Sequence, residues 1–304
     1  MQNIRPSTLL ALACVLAATD LSAQELEPRT YSNTPTGLNF LIAGYAYTQG
    51  GVAADPTIPL DNADIKAQSA VLAYARTLDV WGKSGKFDVV LPYSWVSGTA
   101  EFSGQPVARE VSGFSDPRFR FAVNFIGAPA LSLTEYPAYK QDLIIGASLA
   151  VSAPLGQYDS SKVINIGTNR WTITPELGAS KAWGPWTLEL ITNATWFTDN
   201  TDFYGGQTRK EEPIYSAQLH LLHNFRSGIW VALSSNYYTG GRTSVNGVPG
   251  DDLQANSRLG ATIALPVDRY NSIKLNVSSG VSVRTGTDFD AIGIFWQHRW
   301  GVGL

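Results

Sequence analysis

The chain has 304 residues, a formal net charge of −3 and only 15% charged residues, against about 25% in a typical soluble domain. The net charge argues against nucleic-acid binding. The sequence contains no run of about 20 apolar residues, so it predicts no membrane-spanning helix. Its length suffices for two soluble domains or for one barrel.

The first 23 residues have the pattern of a signal peptide. Arg5 supplies the basic start, Leu9 to Ala18 the apolar centre, and cleavage is expected before Gln24. The single cysteine, Cys14, lies inside this segment, so the mature chain would have neither disulfides nor thiolate chemistry. Residues 24–37, rich in Pro, Thr, Ser and Asn, are predicted to form a linker.

Residues 170–197 consist of two alternating runs joined by a tight turn at Gly184 and Pro185. Apolar and polar residues alternate with a period of two in both runs, which predicts two strands with one apolar face. A soluble sandwich would show the same alternation. Tryptophans stand at the ends of the apolar rows, namely Trp171, Trp183, Trp186 and Trp196. Such positions are typical of the two aromatic belts of a transmembrane β-barrel.

The remaining sequence extends this pattern to twelve predicted strands, although the Ala-rich stretch 65–76 could be helical by propensity. The predicted strands are 38–50, 64–77, 86–97, 116–126, 141–153, 170–182, 186–198, 213–225, 229–239, 257–266, 272–284 and 289–300. The fold class is therefore all-β, an antiparallel outer-membrane β-barrel of twelve strands over residues 38–304.

The lengths of the connections alternate as well. Those after strands six, eight and ten are short, whereas those after strands one, three, five, seven and nine are long and polar. Outer-membrane barrels have short periplasmic turns and long outer loops, so both termini are expected in the periplasm. Residues 127–140 are an exception, since this periplasmic connection is long; it is predicted to cover the periplasmic opening.

Nearly all strong charges fall on the rows that would face the barrel interior, where they avoid the cost of about 2–4 kcal/mol for a charge facing lipid. The outward rows are apolar and include Pro117, Phe119, Phe121, Val123 and Phe125. The predicted lumen residues are Arg118, Arg120, Arg170, Glu176, Glu189, His220, Arg258, Lys274 and Arg284.

Eight short segments resemble one known family when they are taken together. They are residues 112–120 (SGFSDPRFR), 146–158 (GASLAVSAPLGQY), 165–171 (NIGTNRW), 175–178 (PELG), 186–189 (WTLE), 237–242 (YYTGGR), 258–266 (RLGATIALP) and 300–304 (WGVGL). The combination resembles the family named putative MetA-pathway of phenol degradation. The resemblance implies a barrel in the outer membrane of a Gram-negative bacterium and uptake of aromatic or other hydrophobic compounds.

The end of the chain departs from barrels in general, because it closes with Gly303 and Leu304 and not with an aromatic residue. The barrel-assembly machinery would therefore have to recognise Trp300, Trp296 or Phe295.

The arginines allow two interpretations. Arg118, Arg120, Arg170 and Arg258, joined by Arg284, would form a ring near the outer mouth that attracts anions or the carboxylate end of an aromatic solute. Alternatively, they pair with Asp116, Glu176, Asp288 and Asp290 and brace a narrow lumen. Because twelve strands enclose less space than porins do, a plug formed by inward loops or by residues 24–37 is a further hypothesis.

No catalytic or metal site is predicted, and no cofactor. His220 and His223 would lie on opposite faces of one strand, and His223 and His298 near the periplasmic interface. A serine hydrolase is disfavoured, because the Gly-x-Ser-x-Gly elbow is missing from the sequence. The expected partners are outer-membrane lipid, lipopolysaccharide, the assembly machinery and a small-molecule solute. The predicted function is diffusion of small, aromatic or hydrophobic compounds; the alternative is a structural or adhesion barrel without transport.

Overall fold

The computed structural model describes residues 26–51, 60–102, 105–284 and 288–304. The predicted signal peptide and most of the first outer loop lie outside these ranges. Within the part of the chain that is described, no helix has the length and apolar character needed to cross a membrane.

The wall is a closed antiparallel ring of twelve strands, in which Gln105–Phe114 and Arg118–Ile126 count as one strand because both pair with the same edge of Lys83–Phe102. The first and last strands close the ring, with Leu38 opposite Gly301. The wall strands are β1 Leu38–Gly51, β2 Leu60–Val80, β3 Lys83–Phe102, β4 Gln105–Phe114, β5 Arg118–Ile126, β6 Leu143–Ser152, β7 Thr172–Trp183, β8 Trp186–Phe197, β11 Ile214–Asn224, β12 Trp230–Gly240, β15 Gln254–Pro266, β16 Asn271–Ser282 and β17 Asp288–Gly301.

All twelve predicted strands are present, and the stretch 65–76 is strand β2 and not a helix. The largest difference concerns residues 98–115, which the sequence predicts to be a polar loop. They mostly continue β3 and form β4, and β2 runs beside β3 to the same end, with Leu60 opposite Phe102. The sequence predicts a loop there because the stretch is long and polar.

The predicted faces are confirmed along the wall. In β8, Leu188 and Leu190 are exposed on the outer surface, whereas Thr187, Glu189 and Ile191 are buried on the inner one. This arrangement suits a barrel wall in a membrane, because the apolar side chains face lipid and the polar side chains face the lumen. Pro117 is an exception to the predicted outward row of β5, because it is buried where loop residues 153–157 cross the strand.

One end of the barrel carries the tight turns, the long connection 127–142 and the described termini, and by the rule for such barrels this end faces the periplasm. The turn between β2 and β3 has positive φ at Trp81 (51°) and at Gly82 (77°). Positive φ at both central residues matches the twist of the flanking strands, which explains how two residues join two such long strands.

The opposite end carries a second, four-stranded sheet built from two outer loops. Its strands are β9 Asn200–Phe203, β10 Gln207–Glu211, β13 Thr243–Val245 and β14 Val248–Pro249, in the order β14-β13-β10-β9. Phe203 and Val245 are buried together in this sheet, with Val163 of a third loop and Tyr204 packed against them. The outer loops thus have an apolar core of their own.

Aromatic residues form the expected surface bands. Trp171 and Trp196 are exposed near the outer end, and Trp183 and Trp186 near the periplasmic end. In β17, Trp296, His298 and Trp300 stack on the outer surface with ring centroids 5.9 and 6.0 Å apart. Phe295 differs, because its side chain is 2% exposed and turns into the lumen. Of the three residues proposed for assembly recognition, only Trp296 and Trp300 therefore present an outer surface.

Candidate functional site

Residues 26–37, here called the plug segment, lie inside the barrel. The segment is anchored at the periplasmic end of β2, where the hydroxyl of Thr77 donates to the carbonyl of Pro35 at 2.7 Å and accepts the amide of Leu38 at 3.0 Å. From there the chain runs up into the lumen. Its side chains reach the inner surfaces of strands that lie 90 to 195 residues away in the sequence. The plug hypothesis for the linker is confirmed for these residues.

The ring of Tyr31 sits in a gap left by two glycines. Gly146 of β6 and Gly178 of β7 are directly opposite each other in the sheet. A Cβ atom would lie 2.5 Å from the ring of Tyr31 at Gly146 and 2.0 Å from it at Gly178. The Tyr31 hydroxyl donates to Oε1 of Glu176 at 2.9 Å, and the residue is fully buried. Glycine is required at both positions for this close approach.

Glu27 binds two arginines of β5. Its Oε1 accepts a hydrogen bond from Nη2 of Arg118 at 2.8 Å, and its Oε2 accepts one from Nη1 of Arg120. Arg120 is held from its other side by Asp88 of β3, with 3.0 Å between Nε and Oδ2. All four side chains are at most 12% exposed. Charge-assisted pairs of this kind are the strong ones in a site with little water.

Arg29 crosses to the opposite side of the lumen. Its guanidinium lies 4.8 Å from the ring centre of Trp230 and donates to the side chain of Asn224. Its backbone amide donates to Oε2 of Glu189 at 2.6 Å, and Ser180 donates to the other oxygen of the same carboxylate at 3.1 Å. The plug segment is therefore held by polar contacts on both sides of the barrel.

The connection 127–142 secures the periplasmic end of the plug segment, as predicted for its position. The carbonyl of Leu131 accepts the amide of Thr36 at 2.8 Å. Asn33 donates to the carbonyl of Pro129 at 3.2 Å, and the hydroxyl of Tyr136 donates to the carbonyl of Asn33 at 2.9 Å. Burial raises the pKa of Tyr136 above its ordinary value, so this hydroxyl remains a donor at neutral pH.

His220 contributes to the same inner surface. It is fully buried, with Nδ1 2.8 Å from the hydroxyl of Ser234 and Nε2 3.2 Å from Oε1 of Gln218. The amide of Glu27 reaches the same oxygen of Gln218 at 3.5 Å. His220 thus lies on the inner surface and is hydrogen-bonded there.

Two small cavities lie beside the plug segment among the described residues. One of about 20 Å³ lies beside Glu27, Arg118 and Arg120, and a second of about 10 Å³ lies between Thr30, Thr77 and Lys86. Each has room for about one water molecule. The plug segment therefore fills the lumen closely at these two places.

The outer mouth is covered by interlocking loops. Asn200, 3% exposed, donates through Nδ2 to the hydroxyl of Tyr158 at 2.9 Å and to the carbonyl of Thr168 at 3.2 Å. Its Oδ1 accepts from Asn169 at 2.9 Å. Arg170 joins the mouth to the loop sheet, since its Nη2 lies 2.6 Å from Oε2 of Glu211. Two loops are thus tied together by one buried amide.

The predicted ring of arginines is not formed. Arg118 and Arg120 contact the plug segment, Arg170 contacts the loop sheet, and Arg258 lies 3.6 Å above the ring of Phe289. Arg284 has an exposed side chain and does not join them. Lys274 is buried 5.1 Å from the ring centre of Phe295. The charges are therefore held in separate contacts and not in one ring.

The contacts of the predicted bracing carboxylates differ from one to the next, and Glu176 shares its cavity with Arg118 and Arg120. Asp116 accepts hydrogen bonds from Gly156 and Thr168 of a loop, and Glu176 accepts one from Tyr31. Asp290 is exposed, and the side chain of Asp288 lies outside the described residues. Asp88, which does pair with an arginine, was not singled out from the sequence. Its signal is alternation alone, which marks a residue as inward but does not name its partner.

The sequence prediction missed Glu27, Arg29 and Tyr31 as individual lumen residues. The segment that carries them has no strand or helix period, so its composition indicates only a linker. A weak signal exists in the inward rows, where Gly146 and Gly178 replace the polar side chains expected there. Glycines in the middle of strands often mark a place where another group approaches closely.

The other two histidines lie near the periplasmic end of the outer surface. His223 contacts Trp186 and Phe225 edge-on, with ring centres 4.6 and 4.5 Å apart. His298 stacks between Trp296 and Trp300 and bonds to Asn271 at 3.0 Å. The predicted periplasmic positions are thus confirmed.

Comparison with known proteins supports this architecture. A model of the family described as Putative MetA-pathway of phenol degradation matches residues 37–297. A comparison with curated protein sequences gives no significant match.

Several solved structures share the fold. The COG4313 outer membrane channel from Pseudomonas putida F1 superimposes with a TM-score of 0.76 at 19% identity, covering 91% of this chain and 100% of that one. The transport unit of the autotransporter AIDA-I from Escherichia coli follows with a TM-score of 0.54 at 10% identity, covering 92% and 94% of the two chains.

Proposed function

Because the chain belongs to the family described as Putative MetA-pathway of phenol degradation, and because a segment of its own N-terminal region closes its lumen, we propose that it is a channel. It lies in the outer membrane of Gram-negative bacteria. Small hydrophobic compounds, aromatic ones included, would diffuse through it into the periplasm. The family description supports this solute class, and the likeness to a solved outer membrane channel supports the channel fold.

The position of the plug segment is the observation that carries the proposal. A barrel with only a structural role can fill its lumen with wall side chains, as small barrels do. Here the filling is a separate piece of chain, attached at Leu38 and held by hydrogen bonds and ion pairs of Glu27, Arg29 and Tyr31. Polar contacts of this kind can be exchanged for water when the segment moves, so the same lumen can exist closed or open.

The predicted lumen residues fit a passage. Glu176, Glu189 and His220 line the interior together with Arg118 and Arg120, and Arg258 and Lys274 follow on the next strands. We propose that these residues contact the solute once the plug segment is displaced. Passage needs no catalytic step, and His220 is fully buried beside Ser234 in the closed state.

Planar-bilayer conductance tests the proposal. The folded mature chain is expected to give little current, whereas a variant lacking residues 24–36 gives a steady current. A charge variant outside the lumen, Glu110→Gln on the exposed side of β4, should behave like the unmodified chain. A folded deletion variant, identified by heat-modifiable migration on a detergent gel, that stays silent in the bilayer and impermeable in liposome swelling would refute the channel.

One observation favours the second candidate, an adhesion or structural barrel. The outer loops form a sheet with its own apolar core around Phe203 and Val245, which is more order than a passive channel mouth needs. This candidate predicts that the deletion variant is impermeable and that removal of the loop sheet abolishes attachment to a surface. Interaction with lipopolysaccharide at these loops, and recognition of β17 by the assembly machinery, are part of the proposal for either function.

A further inference from the structure

Two arginines of the barrel wall bind one carboxylate that belongs to the plug segment and not to the wall. Arg118 and Arg120 project inward from β5, and each binds one oxygen of Glu27. Asp88 holds Arg120 from behind at 3.0 Å and so fixes the direction of its guanidinium. The arrangement is a carboxylate site: two cationic forks, a positioning carboxylate and little water. In this structure the site is occupied by the carboxylate of Glu27 from the plug segment.

A ring site lies next to this carboxylate site. Glu176 lines the same cavity as Glu27 and accepts the hydroxyl of Tyr31, whose ring fills the gap at Gly146 and Gly178. When the plug segment withdraws, it vacates both places together. What remains on the wall is a pair of arginines for an anion and, beyond Ser148 and Asn193, a slot whose depth fits an aromatic ring.

We propose that Arg118 and Arg120 bind the carboxylate of a small aromatic acid, and that Glu27 is a tethered competitor for the same site. The inference rests on the proposed function, because it names a solute class for that channel. Glu27 and Tyr31 present a carboxylate and a phenol ring from the plug segment, and thus occupy the two places that a benzoate-like solute would need. A bound acid prevents Glu27 from docking on the two arginines. It therefore shifts the equilibrium toward the state in which the plug segment is withdrawn.

The tether sets the concentration against which a solute competes. A group on a short flexible link has an effective concentration in the millimolar range or above. If Glu27 docks on the two arginines with a dissociation constant about tenfold below that effective concentration, about a tenth of the molecules are competent, and a solute binds the closed protein about tenfold more weakly than it binds the vacated site. Removing the charge of Glu27 should recover that loss.

Calorimetric titration of the full mature chain in detergent at low salt tests the inference, with benzoate as the probe and neutral benzamide as its isostere. In Glu27→Gln, benzoate should bind at least tenfold more tightly than in the unmodified chain. Benzamide should change by less than twofold. In Glu27→Gln combined with Arg118→Gln, the preference for benzoate over benzamide should disappear. The matched control Glu110→Gln should bind like the unmodified chain.

Two results would overturn the inference: equal affinity of benzoate for Glu27→Gln and the unmodified chain, or equal affinity of benzoate and benzamide for Glu27→Gln. Heat-modifiable migration verifies the fold of each variant, and Glu27→Ala serves as a second variant in which the amide of Gln cannot occupy the arginines. Calorimetric titration measures binding without any conductance, so the binding site and the channel are tested separately. A bound acid with a silent barrel would retain the site and reject the channel, whereas an open pore without preference for benzoate would do the reverse.

Discussion

The aromatic ring of Tyr31 occupies the space in front of Gly178, where a Cβ atom would lie 2.0 Å from the ring carbon Cε2. To relieve such an overlap the ring has to move away from Gly178, which pulls on the hydrogen bond between the hydroxyl of Tyr31 and Glu176. The docked position of the segment thus depends on the absence of a single methyl group from the wall of the barrel.

Gly178→Ala should therefore displace the plug segment. Overpacking a tight site costs about 1–3 kcal/mol, so the segment should leave the lumen about tenfold more often. Because the mature chain is predicted to lack cysteine, a cysteine introduced at Thr34, which is 4% exposed, can report this by its rate of maleimide labelling. In the Tyr31→Ala background, which lacks the ring, Gly178→Ala should not raise the labelling rate any further. An additive double variant would contradict the contact.

Arg29 should anchor the other side of the segment. Arg29→Ala removes the guanidinium from the ring of Trp230 and from Asn224. Loss of a charged hydrogen bond and a partly desolvated cation–π contact costs about 2–3 kcal/mol, so labelling at Thr34→Cys should rise more than tenfold. Arg29→Lys keeps the charge and should have a smaller effect. An unchanged labelling rate in Arg29→Ala would show that this contact does not hold the segment.

Asn200 should lock the outer loops without affecting the plug segment. Asn200→Ala leaves the hydroxyl of Tyr158 and the carbonyl of Thr168 without their shared donor. At about 1–3 kcal/mol for such a buried group, hydrogen exchange should speed up in residues 154–171 and 198–213, while the labelling rate at Thr34→Cys stays the same. Faster labelling there would mean that the two ends of the lumen are coupled.

The outer surface should tolerate charge only near its edges. Leu219 and Tyr215 are both exposed on the outer face of β11, Leu219 in the middle of the strand and Tyr215 near its outer end. Leu219→Arg should cost about 2–4 kcal/mol and Tyr215→Arg about 0–1, because the cost of a charge depends on its depth in the bilayer. Urea unfolding from lipid vesicles measures both. Equal costs would contradict the predicted depth of the strand.

The wall could be predicted from sequence because it repeats one local rule. Leu188, Glu189 and Leu190 alternate with the period of a strand, and Trp186 and Trp196 mark its ends. Each strand applies the same rule independently, so an error at Pro117 or in the hairpin β3–β4 leaves the other strands unaffected. The rule also separates lumen from lipid, which is why His220 and Lys274 were placed correctly.

The site was predicted less completely because its contacts are not local. Glu27 meets Arg118 across 91 residues, and Arg29 meets Asn224 across 195. The sequence around Glu27 contains no period that could indicate a direction. Only the closed ring brings β5, β7 and β12 around the same axis, so the partners of an inward charge follow from the three-dimensional structure and not from the strand that carries it.

The plug segment hangs from Leu38, at the seam where β1 meets β17. The end of the segment that lies deeper in the lumen is held by non-covalent contacts, namely the ion pairs of Glu27, the contacts of Arg29 and the packing of Tyr31, whereas its other end continues into the wall at Leu38. It can swing toward the periplasm but cannot diffuse away, and the loop cover closes the opposite exit. In the proposed channel, each opening would therefore be followed by reclosure within the same molecule, at a rate that does not depend on protein concentration. Such a barrel would reset itself after each passage without a second protein.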